Sequence, residues 1–303
     1  MHFIAILNRD GGTLRTTDLD EFAARARQVL EAHGHTLDIE IVAGAAIEAA
    51  LAKAAKSRAD VIIAGGGDGT VSAAAKALMN RKKALAVLPA GTMNLFARGL
   101  GIPLSLDAAI AAFADGKVRA VDMASANGRP FIHQFSIGMH AKMVDLRERM
   151  AFKSRYGKLR ASTKAALTTL LDPPSLKVSL AVGGAEMLTR TTGIGVTNNL
   201  FGEGHLPYAD RPDGGVLGIY VTVARGKSQM LRMVLNLARG RWRQNPHVEI
   251  HEGERAVLKV LTRSKKKKCV IDGELQPLAT KTEFAIHKKV LNVLVPRDQA
   301  EAK

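Results

Sequence analysis

Two glycine-rich segments in the first third of the chain carry residue types suited to holding phosphate. The first, at residues 65–70, reads Gly-Gly-Gly-Asp-Gly-Thr and follows an apolar run at 61–64 that predicts a buried strand. A helix is predicted from about Thr70, so unhindered backbone N–H groups and a helix N-terminus would face one small space. This pattern is typical of a phosphate-binding turn.

The second segment repeats this design further along the chain. Residues 84–88 form another short apolar run, and residues 89–92, Pro-Ala-Gly-Thr, predict a sharp turn into a second helix. Two such strand ends can bracket one polyphosphate. Asp68 would repel bare phosphate, so its place in the first turn indicates Mg²⁺ or a network around a metal-bound triphosphate.

A third cluster, Asp272-Gly273-Glu274, lies far along the chain. If it continues the preceding strand, its two carboxylates point to one face and Gly273 lets a ligand approach closely. Such a pair can hold Mg²⁺ and accept a hydroxyl proton. The alternative for so short a motif is a hairpin turn with solvated charges.

The elements that position these residues change character near residue 123. Before it, strands are predicted at 3–7, 36–42, 60–64 and 84–88 with alanine-rich helices between them, and Asp18 with Glu21 indicates a capping box for a helix at 19–33. This alternation predicts an α/β N-terminal domain, a parallel sheet with helices on both faces, with its ligand site beyond the carboxyl ends of the strands.

After residue 123, short alternating runs such as 178–182, 215–223 and 248–250 predict a mainly antiparallel β-sandwich. Helical inserts are predicted at 145–171 and 227–239. We therefore expect domains at 1–122 and 123–303, with room for the last residues to return to the first domain. A cleft between two such domains is where an acceptor substrate is expected.

The charge balance indicates anionic partners. The net charge is +16 and the sequence pI is about 10.1, whereas aromatic residues make up only 4%, which disfavours binding to single-stranded nucleic acid. The basic residues concentrate at 147–164, 225–243 and 263–268. In the second segment they alternate with apolar residues, as an interfacial helix on an anionic bilayer requires, although a solvated face is the usual alternative.

Other features of the sequence indicate where in the cell the protein works. No apolar run approaches the roughly 20 residues of a membrane span, and the N-terminal run lacks a basic segment typical of a signal peptide. The single cysteine, Cys269, excludes an internal disulfide and fits a reducing compartment. We expect a cytoplasmic protein that works peripherally at the inner face of the membrane. The sequence gives no indication of oligomeric state.

The motif at 66–70, together with Gly-Thr-Met-Asn-Leu-Phe-Ala-Arg at 91–98, resembles the diacylglycerol kinase catalytic domain family of lipid kinases, which includes sphingosine and ceramide kinases and bacterial relatives. The glycine motif alone is shared with NAD kinases and phosphofructokinases. The chain departs from the family pattern where Leu95 stands at a common Asp position, and where Ser72 and Ala73 replace Asn-Glu.

The resemblance implies an ATP-dependent kinase that phosphorylates a hydroxyl of diacylglycerol or a related lipid. It implies that Glu274 is the general base, that Asp272 is supporting or metal-linked, and that Asp68 orders the nucleotide and its Mg²⁺. The nucleotide site is expected to comprise Asn8, Gly66, Gly67, Asp68, Gly69, Thr70, Thr92 and Asn94.

The segment at 210–217 resembles an Asp-Gly-x-Leu loop that in some bacterial members binds a structural Mg²⁺. This predicts metal binding by Asp210, Asp213 and Gly215, with a plain turn into a strand as the alternative.

Three other functions remain open from the sequence. One is an NAD kinase-like enzyme, and the others are a catalytically silent nucleotide- or phospholipid-binding protein and a basic nucleic-acid binder. The preferred partners are ATP, a lipid alcohol and an anionic membrane surface, without nucleic acid.

Overall fold

A computed structural model describes residues 1–149, 164, 168–169, 172–224, 226–262 and 267–298. The chain forms two compact units, one with Met1–Met123, Asp210–Asp213 and the chain from His287, and the other with Ala124–Ala209 and Gly214–Ile286. The domain boundary after residue 122 stays a prediction, because compact units need not fold independently.

Sixteen strands are present in the described residues. They are β1 (His2–Asn8), β2 (Thr36–Val42), β3 (Val61–Gly66), β4 (Ala84–Pro89), β5 (Lys117–Ala126), β6 (Arg129–Phe131), β7 (Gln134–Gly138), β8 (Leu176–Val182), β9 (Ala185–Thr191), β10 (Gly193–Asn198), β11 (Leu217–Thr222), β12 (Val248–Gly253), β13 (Arg255–Val260), β14 (Lys268–Ile271), β15 (Glu274–Pro277) and β16 (Lys281–Val295).

The α-helices of the described residues are α1 (Leu19–Ala32), α2 (Ile47–Ala54), α3 (Asp68–Leu78), α4 (Leu95–Gly99), α5 (Leu106–Ala114), α6 (Met139–Arg149) and α7 (Lys227–Ala238). None of them combines the length and the apolar character needed to span a bilayer.

The first unit contains a parallel sheet in the order β2-β1-β3-β4-β16. Strands β3 and β4 are buried along their whole length, as expected when helices cover both faces of a sheet. Helix α1 packs against α5, and α2 packs against α3. Asp18 caps α1 by accepting bonds from the N–H groups of Asp20 and Glu21, but Glu21 pairs with Arg25 and does not complete the predicted capping box.

The second unit is an antiparallel sandwich. One sheet has the order β12-β11-β10-β7-β14-β15, and β8, β9, β13 and the first part of β16 form the other. Their inner faces share one apolar core, in which Phe135 of β7 meets Phe284 of β16 edge-on with ring centroids 4.9 Å apart. The predicted fold class is therefore confirmed.

Some predicted elements are displaced. Helix α6 begins at Met139, earlier than the predicted start at 145, and residues 150–163, 165–167 and 170–171 of that insert lie outside the described residues. The insert predicted at 227–239 corresponds to α7. Much of the first basic segment, residue 225 of the second and residues 263–266 of the third also lie outside the described part of the chain.

The predicted strand placement of Asp272 and Glu274 is wrong. Strand β14 ends at Ile271, which pairs with Glu274 at the start of β15, so Asp272 and Gly273 form the turn of a hairpin. Their φ angles of +48° and +89° fit the left-handed conformation that a tight hairpin turn requires. The two carboxylates therefore do not share one strand face.

Asp272 ties this turn to the segment that joins β6 to β7. Its side chain accepts hydrogen bonds from the N–H groups of Ile132 (3.0 Å), His133 (2.9 Å) and Gln134 (3.2 Å), and its own N–H donates to the carbonyl of Gln134 (2.9 Å). The residue is only 8% exposed. A buried carboxylate with several backbone donors orders the local chain.

We expect substitution of Asp272 to lower the free energy of unfolding of the second unit. Asp272→Ala removes the acceptors and adds strain at positive φ, whereas Asp272→Asn keeps one acceptor oxygen and tolerates the left-handed conformation. Each buried donor left without an acceptor costs about 1–3 kcal/mol. Urea unfolding followed by the fluorescence of Trp242, the single tryptophan, measures the effect.

Asp272→Gly is the control for backbone strain. It relieves the positive φ but still removes the acceptors, so it should remain less stable than Asp272→Asn. Wild-type stability in the glycine variant would show that the carboxylate bonds contribute nothing.

Candidate functional site

Loops from four neighbouring strands meet at the carboxyl ends of β1, β2, β3 and β4 in the first unit. The N–H of Thr13, after β1, donates to the carbonyl of Ala90, after β4, at 2.8 Å. The N–H of Gly44, after β2, donates to the Asp10 carboxylate at 2.7 Å. These bonds bring the loop after β1 together with the loop after β2 and the second glycine-rich segment.

Several glycines are required by the closeness of these loops. Gly12 has φ +33°, and a Cβ there would overlap the carbonyl oxygen of Ala90. A Cβ on Gly91 would lie 2.8 Å from the Cα of Gly67, and one on Gly66 would overlap the side chain of Thr70. Gly12 and Gly91 therefore allow the loop backbones to approach one another, and Gly66 leaves room for the Thr70 side chain.

Gly69 has a different environment. It is exposed in the first turn of α3, and an added Cβ would meet no atom within 4 Å. The first helical bond here runs from the N–H of Val71 to the carbonyl of Gly67, and the first N–H groups of a helix have no acceptor within that helix. The open space at Gly69 thus lies beside a helix N-terminus, which favours an anion.

Asp68 and Asn94 hold the second glycine-rich loop in shape. Asn94 has φ +49°, accepts a bond from the N–H of Gly91 at 2.8 Å, and donates to the carbonyl of Gly91 at 3.0 Å. One oxygen of Asp68 accepts from the N–H of Leu95 at 3.0 Å, which links the start of α3 to the start of α4. Much of their hydrogen-bonding capacity therefore orders the loop itself.

Asn8 and Thr70 form a similar link between the end of β1 and the first turn of α3. The Asn8 amide donates to the Thr70 hydroxyl at 3.3 Å and accepts from the N–H of Asp10 at 3.1 Å, and Thr70 is only 5% exposed. Thr92 is exposed in the loop between Gly91 and Asn94. The structure thus brings the predicted nucleotide-site residues together, and Thr92 is the exposed hydroxyl among them.

Sequence reasoning missed three contributors to this unit. Asp10 fixes the loop after β2, and Ala90 supplies the carbonyl that binds Thr13. Asp122 is fully buried in β5, and its carboxylate accepts from the N–H of Lys289, which has φ +56°. Apolar alternation could not reveal Asp122, whereas Asp10 lies two residues after Asn8, a residue of the predicted nucleotide site.

The predicted metal loop contains an ion pair. Nη2 of Arg119 lies 2.7 Å from Oδ1 of Asp213, and both side chains are mostly buried. Oδ1 of this carboxylate is therefore already paired with a cation of the protein. Among the described residues, no group of three or more His, Cys, Asp or Glu side chains could hold a metal ion. Metal binding by Asp210, Asp213 and Gly215 stays a prediction.

Glu274, the predicted base, is half-exposed in the second unit. Its Oε2 lies 3.6 Å from Nη2 of Arg129, a weak surface ion pair in a solvated setting. Asp272, in contrast, uses both carboxylate oxygens for backbone donors, which fits the supporting role and does not fit the metal-linked one.

A further polar pair, Ser136 and His140, lies in the second unit. The Ser136 hydroxyl lies 2.6 Å from Nδ1 of His140, but Ser136 is buried within the sheet. Burial, followed by the charges of His133 and Arg147, lowers the pKa of His140 to about 4. The imidazole is neutral near pH 7, and the pair is structural.

Comparison with protein families covers both units. The description "Diacylglycerol kinase catalytic domain" matches residues 2–126, and "YegS C-terminal NAD kinase beta sandwich-like domain" matches residues 134–295.

Comparison with individual proteins also finds relatives of this chain. An uncharacterized protein of Synechocystis sp. is 30% identical over 246 residues, which cover 78% of this chain and 54% of that protein. A Yersinia pestis protein named "Probable lipid kinase YegS-like" is 38% identical over 90 residues, 28% of this chain and 30% of its own length. The chain thus matches about half or less of the length of these relatives.

A solved structure shows the shared fold. The crystal structure of a diacylglycerol kinase from Bacillus anthracis superposes with a TM-score of 0.74 at 19% identity, covering 98% of this chain and 97% of that one. With the family matches to both halves and the glycine-rich site described above, the chain belongs to the diacylglycerol kinase catalytic domain family and carries the YegS-type C-terminal domain.

Proposed function

We propose that this chain is an ATP-dependent lipid kinase that phosphorylates a hydroxyl of diacylglycerol or a related lipid. The observation that carries the proposal is the open space at Gly69, beside the N-terminus of α3 and next to the loops of Gly12 and Gly91. Family membership supports phosphoryl transfer to a lipid, and ATP is the donor that a phosphate-binding turn of this kind would hold.

In this proposal the protein binds phosphate mainly by holding hydrogen-bond donors in fixed positions. The free N–H groups in the first turn of α3 bind phosphate oxygens, and the exposed Thr92 hydroxyl donates a further bond. Asp68 faces the same loop, and its bond to Leu95 uses Oδ1 only, so its other oxygen suits a Mg²⁺ ion. When bound, Mg²⁺ would neutralise charge on the phosphates.

Glu274 is the proposed proton acceptor. As the lipid hydroxyl oxygen bonds to the γ-phosphorus and ADP leaves, the hydroxyl proton passes to the Glu274 carboxylate. Its exposure in the second unit leaves the carboxylate open to a substrate. Asp272 acts through structure, because it fixes the hairpin turn that immediately precedes Glu274.

The direct test is a phosphoryl-transfer assay with radiolabelled ATP against diacylglycerol, sphingosine and NAD. Labelled lipid product supports the proposal. Labelled NADP without lipid product would identify an NAD kinase, and ATP binding without any transfer would identify a silent nucleotide-binding protein.

We expect Asp68→Asn and Asp68→Ala both to lower kcat by about 10²-fold or more, because neither provides a carboxylate near the phosphates. Asp68→Asn keeps an oxygen that can accept from Leu95, so its thermal stability should match the wild type. Comparing kcat with thermal stability in Asp68→Asn separates the role of the carboxylate in the reaction from its role in holding the loop. Near-normal turnover in a folded Asp68→Asn variant would remove Asp68 from the mechanism.

Gly69→Ala tests the phosphate space directly. The added methyl meets no protein atom, and alanine favours helix by about 1 kcal/mol over glycine, so stability should be maintained or raised. We expect the KM for ATP to rise by about tenfold or more, because the methyl occupies the space proposed for phosphate. Gly195→Ala in β10, also in open space, is the matched control and should leave KM unchanged. An unchanged KM in Gly69→Ala would place the nucleotide elsewhere.

For Glu274→Gln we expect ATP affinity to persist while lipid phosphorylation falls by about 10²–10⁴-fold, since the amide cannot accept the proton. Glu283→Gln, at an exposed glutamate of the same unit, controls for loss of charge. If Glu274→Gln retains turnover while Asp272→Asn loses it at unchanged stability, the roles of the two carboxylates must be exchanged.

A further inference from the structure

Helix α7 presents two leucines to solvent. Leu231 is 54% exposed and Leu235 is 44% exposed, although most large apolar side chains of the described residues are buried. Residues four apart lie side by side on one face of a helix. The two leucines therefore form one continuous apolar patch on α7.

The opposite side of α7 anchors it to the second unit. Met230 and Met233 are buried together with Ala224. The side-chain amide of Asn245 donates to the carbonyl of Met233 at 3.1 Å. The helix is thus fixed by its inner face, and the exposure of the leucines does not result from a loosely attached segment.

Positive charges surround the patch. Lys227 and Arg239 continue the same row of the helix before Leu231 and after Leu235, and Arg232 lies beside it. All three cations are exposed, and α7 contains no acidic residue. In the described part of the chain, none of the three has a carboxylate within ion-pair distance.

Two other candidate surfaces among the described residues lack this combination. Leu188 on β9 is 70% exposed, but Glu186 lies on the same face of that strand. Lys268, in the third basic segment, is bound to Asp145 at 2.5 Å, and this bond lowers the pKa of Asp145. Lys268 therefore serves an internal ion pair, while Lys265 and Lys266 lie outside the described residues.

We infer that the outer face of α7 docks on an anionic lipid bilayer, an inference that rests on the proposed lipid kinase function. The leucines would enter the boundary between headgroups and acyl chains, and the flanking cations would bind lipid phosphates. A helix of this length covers about 18 Å of surface. Nucleic acid fits less well, because it would engage the cations without burying the leucines.

Vesicle sedimentation tests the docking surface. Wild-type protein should sediment with vesicles that contain phosphatidylglycerol and only weakly with pure phosphatidylcholine. Leu231→Gln/Leu235→Gln should lower this binding by about tenfold or more at every salt concentration. Lys227→Gln/Arg232→Gln should lower it at low salt and flatten its salt dependence, because salt screens exposed charges.

Matched controls come from β9 of the same unit. Leu188→Gln/Arg190→Gln changes the same residue types at exposed positions and should sediment as the wild type does. The fluorescence of Trp242 and the helical signal in circular dichroism show whether each variant is folded. Glutamine is close to leucine in helix propensity, so the α7 variants should pass this check.

The readout separates this inference from the proposed function, because binding does not require turnover. Asp68→Asn should sediment normally, and the α7 variants should phosphorylate detergent-dispersed lipid normally but vesicle lipid poorly. A folded α7 leucine variant that sediments as the wild type does at low and high salt overturns the inference. Binding of wild-type protein to a DNA duplex but not to anionic vesicles would also overturn it.

Discussion

The candidate site depends on direct contact between loop backbones at one edge of a parallel sheet. Gly12 lies against the carbonyl of Ala90, and Gly91 lies against Gly67, with no side chain between them. Parallel strands with successive crossovers bring these loops together at their carboxyl ends. Only glycine permits the remaining approach, so the spacing of the loops is set by main-chain atoms and not by side-chain packing.

Acidic side chains hold the backbone of the loops in place by accepting hydrogen bonds from it. In this strongly basic chain, Asp10, Asp18, Asp68, Asp122 and Asp272 each accept bonds from backbone N–H groups. A carboxylate accepts such bonds more strongly than a neutral group, and it holds a loop without requiring a large apolar core. Acidic residues thus order the backbone of the loops, and at Asp68 and Glu274 they also carry the proposed chemistry.

Much of the first unit could be predicted because its signals are local. The continuous apolar runs of β3 and β4, each ended by glycine or proline, mark buried strands and the turns that follow them. What could not be predicted is which polar atoms of a loop face inward. The amide of Asn94 closes its own loop by bonding both backbone groups of Gly91, and this geometry has no periodic signature.

The hairpin at Asp272 shows a different limit. Asp-Gly between two short apolar runs is a strong signal for a two-residue hairpin turn, and the structure follows it. The strand placement is wrong because the preference of Asp-Gly for a two-residue turn outweighs continuation of the strand. Asp122 could not be found by either approach, since the N–H group that its carboxylate accepts from belongs to Lys289, a residue far along the chain.

The pairing of β16 with β4 has a consequence for folding while the chain is being synthesised. Its last part pairs with β4 in the parallel sheet of the first unit, although more than half the chain separates the two strands. While the ribosome is still making the intervening residues, β4 must wait with one hydrogen-bonding edge uncovered. An open, apolar strand edge invites pairing with other chains. The nascent protein is therefore most exposed to aggregation after β4 has emerged and before β16 arrives.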